Sequence, residues 1–277
     1  MADWLHVVFL ALVQGLSEFL PISSSAHLVL PSQVLGWPDQ GLLFDVAVHM
    51  GTLTAVVAYY WRDLLAVGGD ILPSLRTARH QPGELLCLIV ATLPAVLAGL
   101  LLGSFIEAHF RGLEVIAATT LVFGVLLGLA VYRQRVNRRV ISEHDYEPQA
   151  VSLFHALLIG LAQMLALVPG VSRSGVTITA GMFLGYQPAT AARFSFLMSV
   201  PIIAGAMLFM LLKVGEQGLG VVSLTQVCAA VFIAALSAYT TIALFIKLLD
   251  RVGLMPFVWY RLVLGLALLL LIFIPEA

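Results

Sequence analysis

Charge is what this sequence has least of. Asp, Glu, Lys and Arg make up 10% of its 277 residues, apolar residues make up 61%, and the mean hydropathy is +1.03. An ordinary soluble domain carries roughly 25% charged residues. A globule this poor in charge has too little polar surface to face water, so the solvent for most of the chain is lipid. That excludes a cytosolic enzyme, a secreted disulfide scaffold and a disordered chain. The formal net charge of −1 supplies no basic field for nucleic acid. The only cysteines are Cys87 and Cys228, each inside an apolar stretch. They read as small buried hydrophobes rather than as a disulfide or reactive thiols. Neither stands in the Cys-x5-Arg spacing of thiol phosphatases, and no Gly-rich nucleotide loop occurs, which argues against an ATP-driven pump. The opening Met1-Ala2-Asp3 lacks the basic residues of a cleavable signal peptide, so the N-terminus is expected to be kept.

Six stretches are long and apolar enough to cross a bilayer as helices: about 44–61, 85–104, 113–132, 191–212, 224–246 and 256–274. Two further apolar regions, 5–35 and 151–185, are interrupted near the middle by proline, serine and charge. Each flank is too short to span alone, so each region reads as a helix–break–helix hairpin that enters and leaves on one side. Non-helical backbone at membrane depth is tolerated only where protein or a polar cavity surrounds it. The two regions also resemble each other. Gly15-Leu16 and Gly160-Leu161 each lead to a proline and a serine-rich turn, Leu35-Gly36-Trp37 matches Leu184-Gly185-Tyr186, and Phe44 matches Phe194. Each half is then one broken hairpin followed by three spans, an odd number, so the second half is inserted upside down. The expectation is an all-α integral membrane protein forming a single domain over 1–277. It is built as an inverted-topology repeat, with repeat 1 at about 1–132, a basic linker at 133–150 and repeat 2 at 151–277.

The distribution of basic residues orients the chain. One side carries Arg62, Arg76, Arg79, Arg133, Arg135, Arg138, Arg139, Lys247 and Arg251; the other carries Arg111 and Lys213. The basic side is expected to be cytoplasmic, with both termini and the first hairpin's opening on the outer side. The Arg133–Arg139 run is read as this topology signal in preference to an anionic-lipid site.

A few residues do not belong in hydrocarbon. Glu18 lies inside the first broken region with Gln14 one turn before it, so both side chains share a helix face. An ionisable group at that depth costs about 2.5–3.5 kcal/mol unless compensated. Arg173 carries the same liability in the second region. Meeting hairpins would make Glu18 and Arg173 either a structural ion pair or part of a site for an anionic ligand. The serines favour the ligand. Ser23, Ser24 and Ser25 precede one apolar run, and Ser172 and Ser174 precede the other. Serines there cap helices whose first N–H groups point at a ligand, and two such ends with Arg173 would cradle phosphate oxygens. His27, three residues after Ser24, reads as a nucleophile or as a general base or acid. Glu18 with Gln14 could hold a hard divalent cation. Asp45 and His49 share a face early in the first span, and Arg193 and Arg261 sit in later spans. Asp45 with an arginine reads as a structural pair between repeats. This constellation suits phosphate chemistry but does not by itself separate cleavage from transport.

Three motifs then converge. Gln14-Gly15-Leu16-Ser17-Glu18 follows an E/Q-x-x-x-E pattern. Pro21-Ile22-Ser23-Ser24-Ser25-Ala26-His27 follows Pro-x-Ser-Ser-x-x-His, and Pro169-Gly170-Val171-Ser172-Arg173-Ser174-Gly175 follows Pro-Gly-x-Ser-Arg-Ser-Gly. Nearly end to end, the chain resembles the undecaprenyl-pyrophosphate phosphatase family of the bacitracin-resistance type. The resemblance implies removal of the terminal phosphate from undecaprenyl pyrophosphate, which recycles the lipid carrier for peptidoglycan synthesis. It also implies dependence on a divalent cation (Mg2+ or Ca2+), an outward-facing site in the bacterial inner membrane, and bacitracin resistance on overexpression. Gln14 stands where many members carry glutamate, so Glu18 is expected to hold most of any metal. Ser24 and His27 compete as nucleophile. The expected partners are a polyprenyl pyrophosphate, membrane lipid and a second copy of the chain. The competing function is a polyprenyl-phosphate translocator using the same anion site. A membrane scaffold would leave Glu18, His27 and Arg173 unexplained.

Overall fold

The computed structural model describes residues 3–38, 40–69, 83–138, 150–217 and 222–273, and among them regular structure is entirely helical. The helices are α1 (Trp4–Ser17), α2 (Ser24–Leu35), α3 (Leu42–Tyr59), α4 (Trp61–Gly69), α5 (Glu84–His109), α6 (Leu113–Arg138), α7 (Leu153–Met164), α8 (Arg173–Phe183), α9 (Pro188–Gln217), α10 (Leu224–Val252) and α11 (Met255–Ile272). Six of them, α3, α5, α6, α9, α10 and α11, are long and apolar enough to cross a membrane. They match the six stretches read from the sequence, and the protein is a multi-pass membrane protein. The short α4 was not expected. Arg133, Arg135 and Arg138 extend the end of α6 instead of opening a loop. Arg76, Arg79 and Arg139 fall outside the described residues.

The bundle is apolar outside, and its interior, though built largely of apolar side chains such as Phe19, Phe194 and Phe196, also holds the buried polar groups. Leu100, Leu101, Leu212, Leu224 and Phe232 are exposed, whereas Gln14, Thr52, Thr120, Gln163, Ser195 and Arg261 are buried. Helices in lipid gain little from hiding leucine, so close packing and internal hydrogen bonds hold them together. Glycines allow the closest approaches. A Cβ at Gly51 would lie 2.5 Å from Val231 O, and one at Gly160 would lie 2.4 Å from Ala91 O. Cys87 is buried, its Sγ 3.1 Å from Val151 O, but Cys228 is exposed on α10 and so is not the buried hydrophobe expected.

Both interrupted regions are helix–break–helix. In the first, α1 ends at Ser17, because Pro21 disfavours helical backbone at Leu20. In the second, α7 tightens into a 3-10 turn at Leu165–Leu167 ahead of Pro169. Gly170 follows at φ +90°, where a Cβ would lie 2.1 Å from Thr119 Oγ1. Each region folds back so that its ends meet. Trp37 stacks on His6 with ring centroids 4.0 Å apart, and Tyr186 Oη is 2.8 Å from His155 Nδ1. These partners, like Ser23 and Ser172, stand 149 residues apart, whereas Gly15 and Gly160 stand 145 apart. The two matched glycines are therefore one turn out of equivalence, although both meet a helix of the opposite half. The packing follows the same alternation: α1 lies along α10, and α7 lies along α5.

Between the two breaks lies Arg261 of α11, fully buried. Its guanidinium donates to Pro21 O (3.2 Å) in one turn and to Gly170 O (2.8 Å) and Val171 O (2.9 Å) in the other, and further to Thr119 O and Thr120 O of α6. Ser174 Oγ donates to Leu20 O (2.8 Å), and Thr119 Oγ1 to Pro169 O (2.7 Å). Arg193, the other arginine inside a later span, donates to Asp63 and Glu84 beside a separate cavity of about 640 Å³.

Two stability predictions follow from this packing. Arg261→Lys lacks the fork that reaches both turns; stranding several buried carbonyls is expected to lower stability in detergent by more than about 3 kcal/mol. Gly160→Ala is expected to cost about 1–3 kcal/mol through overpacking, while Gly103→Ala, with open space around the added Cβ, leaves the melting temperature unchanged or raises it. Thermal unfolding of the purified variants checks both.

Candidate active site

The two turns place serine at the start of two helices in the same unusual way. Ser23 (φ 75°) caps α2 by accepting from Ala26 N–H, and Ser172 (φ 71°) caps α8 by accepting from Gly175 N–H. They are the only non-glycine residues at positive φ among the described residues. Such backbone costs on the order of 1–3 kcal/mol and gathers at functional sites. The Oγ atoms of Ser23 and Ser25 are 3.2 Å apart, and those of Ser172 and Ser174 are 3.3 Å apart. The first N–H groups of each helix have no intrahelical acceptor and attract anions.

Glu18, just beyond the end of α1, is the hub. Its Oε2 accepts from Ser24 Oγ at 2.6 Å and from Gln14 Nε2 at 3.1 Å. Its Oε1 pairs with Arg173 Nη2 at 3.1 Å, and this pair is nearly buried, at 8% and 12% exposure. Arg173 also donates to Ser195 O at 3.1 Å. The fully buried Ser195 lies 2.7 Å, hydroxyl to hydroxyl, from Thr177, which in turn donates to Arg173 O. The guanidinium is therefore held from both ends. Burial of this kind requires pairing, and the pairing found is between the two broken regions, as the sequence suggested.

An inner cavity of about 220 Å³ is lined by Glu18, Ser23, Ser24, Ser25, Ser172 and Arg173, with Gln163 of α7 and apolar residues of α5, α9 and the 3-10 turn after α7 completing its wall. It adjoins an entrance cavity of about 330 Å³ bounded by α2, α3 and the α2–α3 connection, with Asp45 and Arg111 on its wall. Ser24, Ser25 and His49 line both.

The structure brings Gln14, Glu18, Ser24 and Arg173 into one hydrogen-bonded group, with Ser23, Ser25 and Ser172 around it. It does not bring Ser174 to the cavity, because that hydroxyl ties the turns together through Leu20 O. It also turns His27 away from Ser24 and Glu18. His27 Nδ1 is 2.6 Å from Ser23 O, and Nε2 is hydrogen-bonded to Tyr260 Oη. A carbonyl only accepts, so Nδ1 carries the hydrogen and both ring nitrogens are engaged. Tyr260, Ser195 and Arg261 carried no sequence signal beyond a polar residue inside a span. Among the described residues no group of three or more His, Cys, Asp or Glu could hold a metal. A cation taking most of its ligands from water and phosphate does fit. Gln14 Oε1 is buried with no hydrogen-bond partner, and a carboxylate has about four lone-pair sites. Glu18 and Gln14 are thus the residues able to hold it.

Comparison with known proteins bears on the chain as a whole. The sequence profile of the family described as Bacitracin resistance protein BacA matches residues 7–267. The chain is 51% identical to a protein of Alcanivorax borkumensis named undecaprenyl-diphosphatase, over 96% of this chain and 98% of that one. It is 48% identical to one of the same name from Saccharophagus degradans, over 98% of both, and 49% identical to one from Hahella chejuensis, over 98% and 99%. With a buried carboxylate, serine and arginine gathered at two capped helix ends, and with this match along nearly its whole length, the chain belongs to the BacA family.

Proposed function

We propose that this protein hydrolyses undecaprenyl pyrophosphate to undecaprenyl phosphate and inorganic phosphate, and so recycles the lipid carrier of peptidoglycan synthesis. The observation that carries the reading is the Ser24 hydroxyl 2.6 Å from Glu18, with Arg173 on the other carboxylate oxygen, inside a bundle whose exterior is lipid-facing. Relatives at about half identity, named for that activity, support it.

Ser24 Oγ attacks the terminal phosphorus while Glu18 takes its proton; the bond to the bridging oxygen breaks, and prenyl phosphate leaves with that proton, which restores the Glu18 carboxylate. Water then attacks the phosphoserine, giving a proton to Glu18, and inorganic phosphate departs as Ser24 regains its hydrogen. Arg173 and the N-termini of α2 and α8 neutralise charge on the transferred group. Ser24 is preferred to His27 as nucleophile because it alone contacts the base. His27 instead holds Ser23 O, and with it the strained cap of α2. A divalent cation, Mg2+ or Ca2+, held by Glu18 and Gln14 would supply further charge neutralisation at the pyrophosphate.

The two broken regions are read as re-entrant hairpins of an inverted repeat within a single domain. Their matched caps, their 149-residue spacing and the crossed packing of α1 on α10 and α7 on α5 support this. Arg62 follows the end of α3, and Arg133, Arg135, Lys247 and Arg251 lie late in α6 and α10, whereas the entrance cavity is lined by the start of α3, by Arg111 just before α6 and by Met210 late in α9. The site accordingly opens to the periplasmic side of the inner membrane.

Phosphate release from farnesyl pyrophosphate by purified protein tests the function. Ser24→Ala, Glu18→Gln and Arg173→Ala are each expected to lower turnover by at least about 10²-fold with the fold intact, and His27→Ala by about tenfold. Near-normal turnover in Ser24→Ala would transfer the nucleophile to His27. Intact substrate that binds without phosphate release would favour the translocator. A chelator is expected to abolish release, and Gln14→Glu, which adds a charge beside Glu18, to lower the cation concentration giving half-maximal rate.

A further inference from the structure

The mechanism above leaves one imidazole of the site unused. His49 of α3, like Ser24 and Ser25, lines both cavities, so these three residues mark the boundary, or neck, between them. Its Nδ1 is 2.7 Å from Asp45 O, one helical turn back. Since a carbonyl only accepts, Nδ1 carries the hydrogen and the ring orientation is fixed. Nε2 is left with no hydrogen-bond partner among the described residues, unlike Nε2 of His27, which is taken by Tyr260. His49 and Glu18 line the same inner cavity. His49 is therefore the imidazole with a nitrogen open to a ligand.

What that nitrogen meets follows from the layout of the cavities. The inner cavity holds Glu18, Ser24 and Arg173, the groups that act on the terminal phosphate. With that phosphate bound there, the second phosphate lies one P–O–P bridge nearer the neck. The lipid part of the substrate is then on the entrance side, whose wall carries Leu28, Phe44 and Met210 together with Gln33, Asp45 and Arg111. Resting on the phosphatase reading, we propose that His49 is a further substrate-contacting residue, whose Nε2 binds the phosphate that stays on the lipid. When charged, the ring donates to a phosphate oxygen; when neutral, Nε2 accepts from a protonated phosphate oxygen or a bridging water. A glutamine amide at this position offers a donor and an acceptor at similar reach. The contact serves the prenyl phosphate as substrate moiety and as product, and it makes no bond to the phosphate that is released.

The test is steady-state kinetics with farnesyl pyrophosphate, using farnesyl phosphate and inorganic phosphate as product inhibitors. His49→Ala is expected to raise KM and the inhibition constant of farnesyl phosphate about tenfold each, the scale of one hydrogen bond to a charged group. It is expected to leave kcat within about threefold and inhibition by inorganic phosphate unchanged. His49→Gln is expected to restore both raised constants to within about threefold of wild type. The proposal is overturned by unchanged inhibition by farnesyl phosphate in His49→Ala, by an equal weakening for inorganic phosphate, or by a loss of kcat that glutamine does not recover. A wild type that releases no phosphate overturns the phosphatase reading and this one together, and so marks that failure apart from a failure of His49 alone.

Discussion

Two stretches of non-helical backbone inside an apolar bundle must find every hydrogen bond within the protein, because hydrocarbon offers none. Arg261 meets this constraint from the centre of the molecule. Its guanidinium has five N–H donors in a rigid plane, and it spends them on carbonyls of both turns and of α6. The positive charge is solvated by carbonyl dipoles, with no carboxylate among these partners. Thr119, Ser174, Ser23 and Ser172 complete the accounting around it. Without that buried cation the turns would be joined, among the described residues, only by the Ser174 hydroxyl and the Glu18–Arg173 pair, and several buried carbonyls would lose their donor.

The charged centre of the site is assembled from the two halves of the chain. Glu18 comes from the first break and Arg173 from the second, 155 residues later. Each supplies the compensation that the other needs at that depth. A buried pair is weak support for stability, since desolvation offsets much of the attraction. Its value here lies in position: the carboxylate that neutralises Arg173 also holds the Ser24 hydroxyl, so one hydrogen-bonded group fixes the three side chains on which the proposed chemistry rests. Arg173 is itself steadied through Ser195 and Thr177, whose hydroxyls are spent inside the protein.

The exterior follows a different rule. Leucine and phenylalanine cover α5, α10 and α11 where lipid is the solvent, and small residues mark where helices touch. Gly51 against α10 and Gly160 against α5 bring backbones together at distances that no side chain allows. The ion cluster of Arg193, Asp63 and Glu84 occupies a separate cavity bounded by Tyr59 and Tyr60. Polar chemistry is thus confined to the interior and to the ends of the spans.

Periodicity and composition alone determined the six spans, the two interruptions and the charged residues within them, because twenty apolar residues in a row have few other uses and a glutamate among them demands a reason. The spacing of Gln14 and Glu18 likewise fixed a shared helix face. Partnerships across the fold were not legible. Motif and spacing singled out His27, yet in the fold His27 turns to Tyr260 and it is His49, a histidine with no motif of its own, that lines the cavity. Ser174 looked like a phosphate ligand from its motif and became a strut, because the break at Leu20 needed a donor. Cys228 looked buried because its neighbours are apolar, yet in lipid an apolar helix also has an outward face. Arg261 read as one more charge in a span; only the approach of two turns from opposite halves, decided by tertiary packing, turned it into their common donor.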